Sequence, residues 1–345
     1  MQQDAAGGHA YVLLCAYHKF GDPRYLEHCK SALEALISQK ESRFYEALLP
    51  LGVYVAAYLN ATEGTNYNVS KLFDWVFNGC QSSSGRTGWG IIVGKWGDYD
   101  VSGLQGSITD GGGYAFLMNS IKPAWPFIPL VKYQPEYAKA IGKWMLNNSS
   151  ACRLFYPGDI DEKHQWAPEL KNITNNHVSY EGLKKADDYG KESLKGVSPV
   201  AIGDGPKWIE GNPAESMFSV YSSSPVGILG AIITKTDVEG ILQLDCNATD
   251  FYVDKPYPVY LYYNPYKEAK TITYRASQEC DLFDIVAKKY VARNVNESGL
   301  IEIPANDARV IVELPQGTVL ELQDGKIIAN KAVSYTHLRA HETCA

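Results

Sequence analysis

Three aspartates fall close together at Asp98, Asp100 and Asp110, in the stretch TGWGIIVGKWGDYDVSGLQGSITDGGGYAFLMNS from Thr87 to Ser120. Two carboxyl groups can divide a proton-transfer reaction between them. One protonates a leaving glycosidic oxygen, and the other activates water or attacks the anomeric carbon. In Asp98-Tyr99-Asp100 the acids are two residues apart, which places them on one face of a strand but lets them diverge on a turn. Aspartate beside glycine also caps turns, and Asp110 equally suits the N-cap of the helix expected after it. Around the acids stand Trp89, Trp96, Tyr99 and Tyr114. The C–H face of a sugar stacks on such rings while its hydroxyls bond to carboxylate oxygens.

A second cluster is NNHVSYEG, residues 175–182, with Asn176, His177, Tyr180 and Glu181. An amide or imidazole can neutralise a uronate, and His177 or Tyr180 can remove its proton, which is lyase chemistry. The bland alternative is a polar capping turn. HQWAPE adds His164, Trp166 and Glu169, and a further Gly/Pro-rich stretch adds Trp208 with Asp204, Glu210 and Glu215. Asp100 and Glu181 are the first choice for acid and base, with Asp98 and Asp110 in reserve. Trp89, Trp96, Tyr99, Tyr114, His164, Trp166 and Trp208 are expected to contact substrate.

These residues need elements to hold them. The spacing of apolar residues predicts helices over 5–20, 23–38, 44–59, 68–77, 113–121 and 135–146, making antiparallel helical hairpins to residue 150. Asp22-Pro23 supplies an N-cap followed by proline at the first helical position. The helix at 44–59 is apolar nearly all round and should be buried on most faces. The glycine density of 87–120 marks sharp turns or close backbone approach.

From residue 238 the pattern changes. ILQLDC, PVYLYYNP, TITYRA, LFDIVA, YVARNV, LIEIPA, ARVIVELP and VLELQDG are short, rich in β-branched and aromatic residues, and separated by turn formers. They predict an antiparallel sandwich. The alternating tyrosines of YLYYNPY are expected to pack inward more than to bind. The expected organisation is a helical domain at 1–236, a β-sandwich at 237–330, and a tail at 331–345. The ending SYTHLRAHETCA breaks the β pattern and reads as a non-native, disordered extension.

Several helical hairpins followed by a β-sandwich resemble the six-hairpin, (α/α)6-toroid carbohydrate-active proteins. The resemblance is carried by GWG(x)5WGDYDVSGLQGS and DGGGYAFLMNS, and then by GILQLDCNATDF and YPVYLYYNPY. It implies a partial toroid ahead of the sandwich, with further helices preceding residue 1, and a glycoside hydrolase acting on a poly- or oligosaccharide. NNH also resembles the Asn-Asn-His run of some alginate lyases, which implies a polysaccharide lyase as the alternative. A non-catalytic glycan-binding or scaffold protein is the third reading.

Composition bounds the rest. With 345 residues, 45% of them hydrophobic, the chain can bury a sizeable core. A net charge of −7 argues against nucleic acid or anionic membranes as partners. The 24 tyrosines and 7 tryptophans exceed what a core alone requires. The seven cysteines form no CxxC pair, and the five histidines before the tail show no metal spacing, so neither a metal nor a cofactor is expected. Sequons at Asn60, Asn68, Asn147, Asn148, Asn172, Asn247 and Asn296 matter only in a eukaryotic secretory pathway. An extracytoplasmic setting is expected for the complete protein.

Overall fold

A computed structural model describes residues 4–42, 44–79, 89–107, 113–171, 179–185, 191–203, 225–323, 326–329 and 332–334. The chain begins with helices and continues into antiparallel sheets. Helices α1 (Ala5–Phe20) and α2 (Pro23–Ile37) form a hairpin at the Asp22-Pro23 signal. The Asp22 carboxylate accepts the Arg24 N–H at 3.0 Å, satisfying one orphan donor of the first turn.

Helix α3 runs Leu49–Thr62, later than the expected 44–59. Pro50 explains the shift, because proline lacks the N–H an interior position must donate and is tolerated only in the first turn. Twelve of the fourteen residues of α3 are buried, as its all-round apolar pattern requires. Helix α4 (Val69–Phe77) starts at Asn68, whose side chain accepts the Lys71 N–H at 2.9 Å.

The expectation of helical hairpins to residue 150, joined by a glycine-rich loop, is corrected by the next segment. Strands β1 (Trp89–Ile91), β2 (Lys95–Trp96), β3 (Tyr99–Asp100), β4 (Gln105–Ser107) and β5 (Tyr114–Phe116) occupy the glycine-rich stretch. β2 and β3 make a small hairpin. The others join β6 (Gly182–Lys184) and β7 (Val200–Ile202) in a five-stranded antiparallel sheet of order β1-β4-β5-β6-β7. Glycine is tolerated there because backbones meet. A Cβ at Gly106 would lie 1.9 Å from the Tyr114 carbonyl oxygen. The expected helix at 113–121 therefore begins only at α5 (Leu117–Ile121). It is followed by α6 (Ala124–Leu130), which the sequence pattern did not reveal, and α7 (Ala138–Ala151).

After α8 (Val226–Ile232), all eight β-rich runs become strands. They are β9 (Leu242–Asp245), β10 (Val259–Asn264), β11 (Lys270–Arg275), β12 (Cys280–Asp284), β13 (Lys289–Val295), β14 (Ser298–Ile303), β15 (Asp307–Pro315) and β16 (Leu320–Gln323). A six-stranded sheet has the order β13-β12-β15-β10-β9-β8, where β8 is Ile233–Lys235. The expected domain limit at 236/237 thus falls just after a strand of this sheet.

Alternation along β10 sets its two faces. Val259, Leu261 and Tyr263 join the core shared with the helices. Tyr262 packs the other way, against Ile272 and Tyr274 of β11 and Ile301 and Ile303 of β14. Helix α7 lies on the first face, so one hydrophobic core runs from Ala10 of α1 to Ala329. Strands β16, β17 (Lys326–Ala329) and β18 (Ala332–Ser334) form a three-stranded sheet. The expected tail begins at 331, yet residues 332–334 pair with β17. Residues 335–345 lie outside the described residues. No helix among the described residues is long and apolar enough to cross a membrane.

Candidate functional site

Register in the five-stranded sheet aligns four side chains in one row across neighbouring strands. Trp89 of β1 faces Ser107 of β4, Ser107 faces Tyr114 of β5, and Tyr114 faces Lys184 of β6. Directly opposed residues share a face of the sheet, so indole, hydroxyl, phenol and ammonium stand side by side. The Trp89 end is buried, while Tyr114 and Lys184 are half-buried. The Tyr45 ring meets Trp89 edge-on at 5.0 Å.

Glu181, immediately before β6, reaches this row through its side chain. The Tyr114 hydroxyl donates to Glu181 Oε1 at 2.9 Å, and the Glu181 carbonyl accepts the Leu117 N–H at 2.8 Å. The Lys184 ammonium lies 6.0 Å from the Tyr114 ring centre. Gly182 makes the contact feasible. The Tyr114 ring passes directly over it, and a Cβ at that position would lie 2.4 Å from the phenol oxygen. A half-buried carboxylate held by a phenol beside an ammonium can accept or deliver a proton and orient a hydroxylated ligand.

The other expected residues are placed differently. Asp98 and Asp100 sit exposed on the β2–β3 hairpin. Asp100 accepts the Ser102 N–H at 2.9 Å, which is the turn-capping role open to it from sequence. The Ser102 hydrogen bonds hold its carboxyl below the usual range, opposite to what a general acid near neutral pH needs. Among the described residues no hydrogen bond or ion pair joins Asp98 or Asp100 to Glu181. Asp110, His177 and Trp208 lie outside the described residues, as do Asn176, Asp204, Glu210 and Glu215.

Trp96, Trp166 and Tyr180 belong to the core under the sheet rather than to an open face. Tyr180 is fully buried, donates to Gln165 Oε1 at 3.3 Å and accepts the Ala167 N–H at 3.2 Å. Burial pushes its phenol well above the ordinary range, away from a base at neutral pH. The Lys191 ammonium lies 4.7 Å from the Trp166 ring centre and bonds the Trp166 carbonyl.

His164 is buried, with Nδ1 2.7 Å from the Pro199 carbonyl oxygen, so that nitrogen carries the donated proton. Tyr99 meets its ring edge-on at 4.9 Å and accepts the Asp161 N–H at 3.3 Å. These contacts tie the β2–β3 hairpin to the 160–166 segment. Glu169 is exposed.

Sequence reasoning passed over Lys184 and Ser107, whose roles follow only from strand register. It also passed over a buried network on Asp250, which lies inside the quoted GILQLDCNATDF. Tyr54 of α3 and Tyr133 both donate to that carboxylate, the latter at 2.6 Å, and Lys132 Nζ lies 2.5 Å away. Among the described residues no group of three or more His, Cys, Asp and Glu side chains could hold a metal ion. No family model, curated protein or solved structure matches the chain.

Proposed function

We propose that the chain is a carbohydrate-active enzyme of glycoside hydrolase type, and that Glu181 is its proton-transferring carboxyl group. The observation that carries this reading is the Tyr114–Glu181 hydrogen bond of 2.9 Å at the accessible end of the Trp89–Ser107–Tyr114–Lys184 row. A phenol that orients one carboxylate, in a row that also holds an ammonium, offers groups a sugar requires: an apolar face, hydrogen-bond partners and a proton donor. Cleavage needs a second carboxylate, and Asp98, Asp100 and Asp110 are the candidates. The finer architecture that accompanies this reading is a partial (α/α)6 toroid buttressed by a β-sandwich. The α1–α2 hairpin around buried α3, and the packing of β11 and β14 on the six-stranded sheet, support it.

The test is a screen of the whole chain against a panel of neutral and acidic polysaccharides, following reducing ends and ultraviolet absorbance together. New reducing ends without ultraviolet absorbance are expected. Absorbing, unsaturated uronate products would transfer the assignment to a lyase. Binding without turnover would leave a glycan-binding protein.

A further inference from the structure

A groove of about 430 Å³ runs between β12–β13 and the β16–β17 pair. That volume falls in the range of about 300–1,000 Å³ usual for small-ligand sites. Its apolar wall includes Phe283, Tyr290 and Ile327. The Phe283 and Tyr290 rings meet edge-on at 5.2 Å, and the Tyr290 hydroxyl donates to the Thr318 carbonyl at 3.3 Å, so the phenol is fixed in place.

Cations crowd the same edge. Lys288 and Lys289 line the groove, and the Arg293 guanidinium sits 3.7 Å from the Tyr290 ring centre. All three are exposed, and among the described residues none of them makes a salt bridge. Lys288 takes a left-handed φ of 55°, uncommon for a non-glycine residue, in the turn that presents both lysines. Stacking occupies the face of the guanidinium and leaves its N–H edge for a planar anion, the geometry in which arginine grips a carboxylate. In a chain of net charge −7, three cations without a salt bridge among the described residues, beside fixed aromatic rings, are a local reversal of sign. Among the described residues lining the groove, Glu321 is the single carboxylate.

We infer that this groove binds a carboxylated oligosaccharide, a short run of uronic acid residues. The Tyr290 ring takes the apolar face of a sugar, and Lys288, Lys289 and Arg293 take the carboxylates. The groove is open to solvent, which favours this ligand over a fatty acid. A sugar keeps its hydroxyl edge in water at no cost, whereas an alkyl chain left half in water forfeits much of its hydrophobic gain. The inference stands without the hydrolase assignment, because the site carries its own charges and rings.

The experiment is calorimetric titration of the Glu181→Gln chain with hexagalacturonate, so that any turnover at the other site is suppressed. Cellohexaose and hexaglutamate serve as comparison ligands. The expected result is binding of hexagalacturonate that weakens as salt is raised. It should fall at least roughly tenfold in Lys289→Ala, Arg293→Ala and Tyr290→Ala chains, each checked for unchanged melting. Cellohexaose, which lacks carboxylates, should bind far more weakly. Absence of binding, or binding indifferent to all three substitutions, overturns the inference. Hexaglutamate bound as tightly as the uronate would overturn it too, since charge alone would then explain the site.

Discussion

Tyr54 and Tyr133, brought together from α3 and the turn after α6, donate to opposite oxygens of the single carboxylate of Asp250. Lys132 Nζ lies 2.5 Å from the same carboxylate and 2.8 Å from Asn247 Oδ1. Asp250 is 1% exposed and belongs to the connection between β9 and β10, so this cluster bolts the helices to the six-stranded sheet. Asp250→Asn should cost about 3–5 kcal/mol, because it leaves the nearly buried Lys132 charge uncompensated. Tyr133→Phe should cost about 1.5–3 kcal/mol. Denaturant unfolding with an unchanged slope checks both values.

The same tyrosines set an alkaline limit. Burial, followed by the nearby Asp250 charge, raises both phenols well above the ordinary value of 10. A phenol with a raised folded-state pKa contributes stability that is complete below the unfolded value. That contribution is lost as pH climbs from the unfolded value toward the folded one. Unfolding free energy should therefore begin to fall above about pH 10. Tyr54→Phe/Tyr133→Phe should flatten that fall at the expense of stability at neutral pH.

Asp4 should impose an acid-side slope of unusual sign. It is 2% exposed, and burial raises its carboxyl from 3.8 to about 6, opposed by a hydrogen bond from the Tyr45 N–H. The folded chain holds this proton more tightly than the unfolded chain. Asp4 therefore favours folding most below pH 3.8 and progressively less as pH rises to about 6. The swing is on the order of 2–3 kcal/mol. Asp4→Asn should remove that slope from unfolding measured between these pH values while leaving the alkaline limb unchanged.

Gly182→Ala tests how Tyr114 is aimed. The added methyl would lie within 2.4–2.5 Å of three Tyr114 ring and hydroxyl atoms, so the phenol must leave Glu181 or β6 must shift. The expected outcome is a loss of turnover matching Tyr114→Phe, with a stability cost of about 1–3 kcal/mol. Turnover equal to the unaltered chain would show that the Tyr114–Glu181 contact is not used.

Much of this fold was legible in the sequence because its signals are local. Asp22-Pro23 starts α2, Asn68 caps α4, and short β-branched and aromatic runs separated by turn formers mark the strands from β9 to β16. The five-stranded sheet was not legible. Its strands are each three residues long, too short for alternation to show, and their glycines look like loop. They become strands through pairing over distance, as when Tyr114 meets Lys184. The site divides the same way. Glu181 stood out by residue type, but its partner Tyr114 depends on register and on the missing side chain of Gly182. Trp96 and Trp166 were read as surfaces for ligand and Tyr180 as a base, and hydrophobic burial took all three into the core, where large aromatic rings contribute most. Asp250 carried no local sign of importance, since its three donors come from elsewhere in the chain.

Whether Glu181 moves a proton in glycosidic cleavage is decided by the Glu181→Gln chain. The measurement is the rate of reducing-end release from a polysaccharide that the unaltered chain cleaves, taken beside melting temperature and substrate affinity. The rate should fall about 10²–10⁴-fold with melting and affinity retained, since the amide keeps the shape of the carboxylate and loses its proton chemistry. A Glu181→Gln chain that releases reducing ends at the unaltered rate would contradict the account.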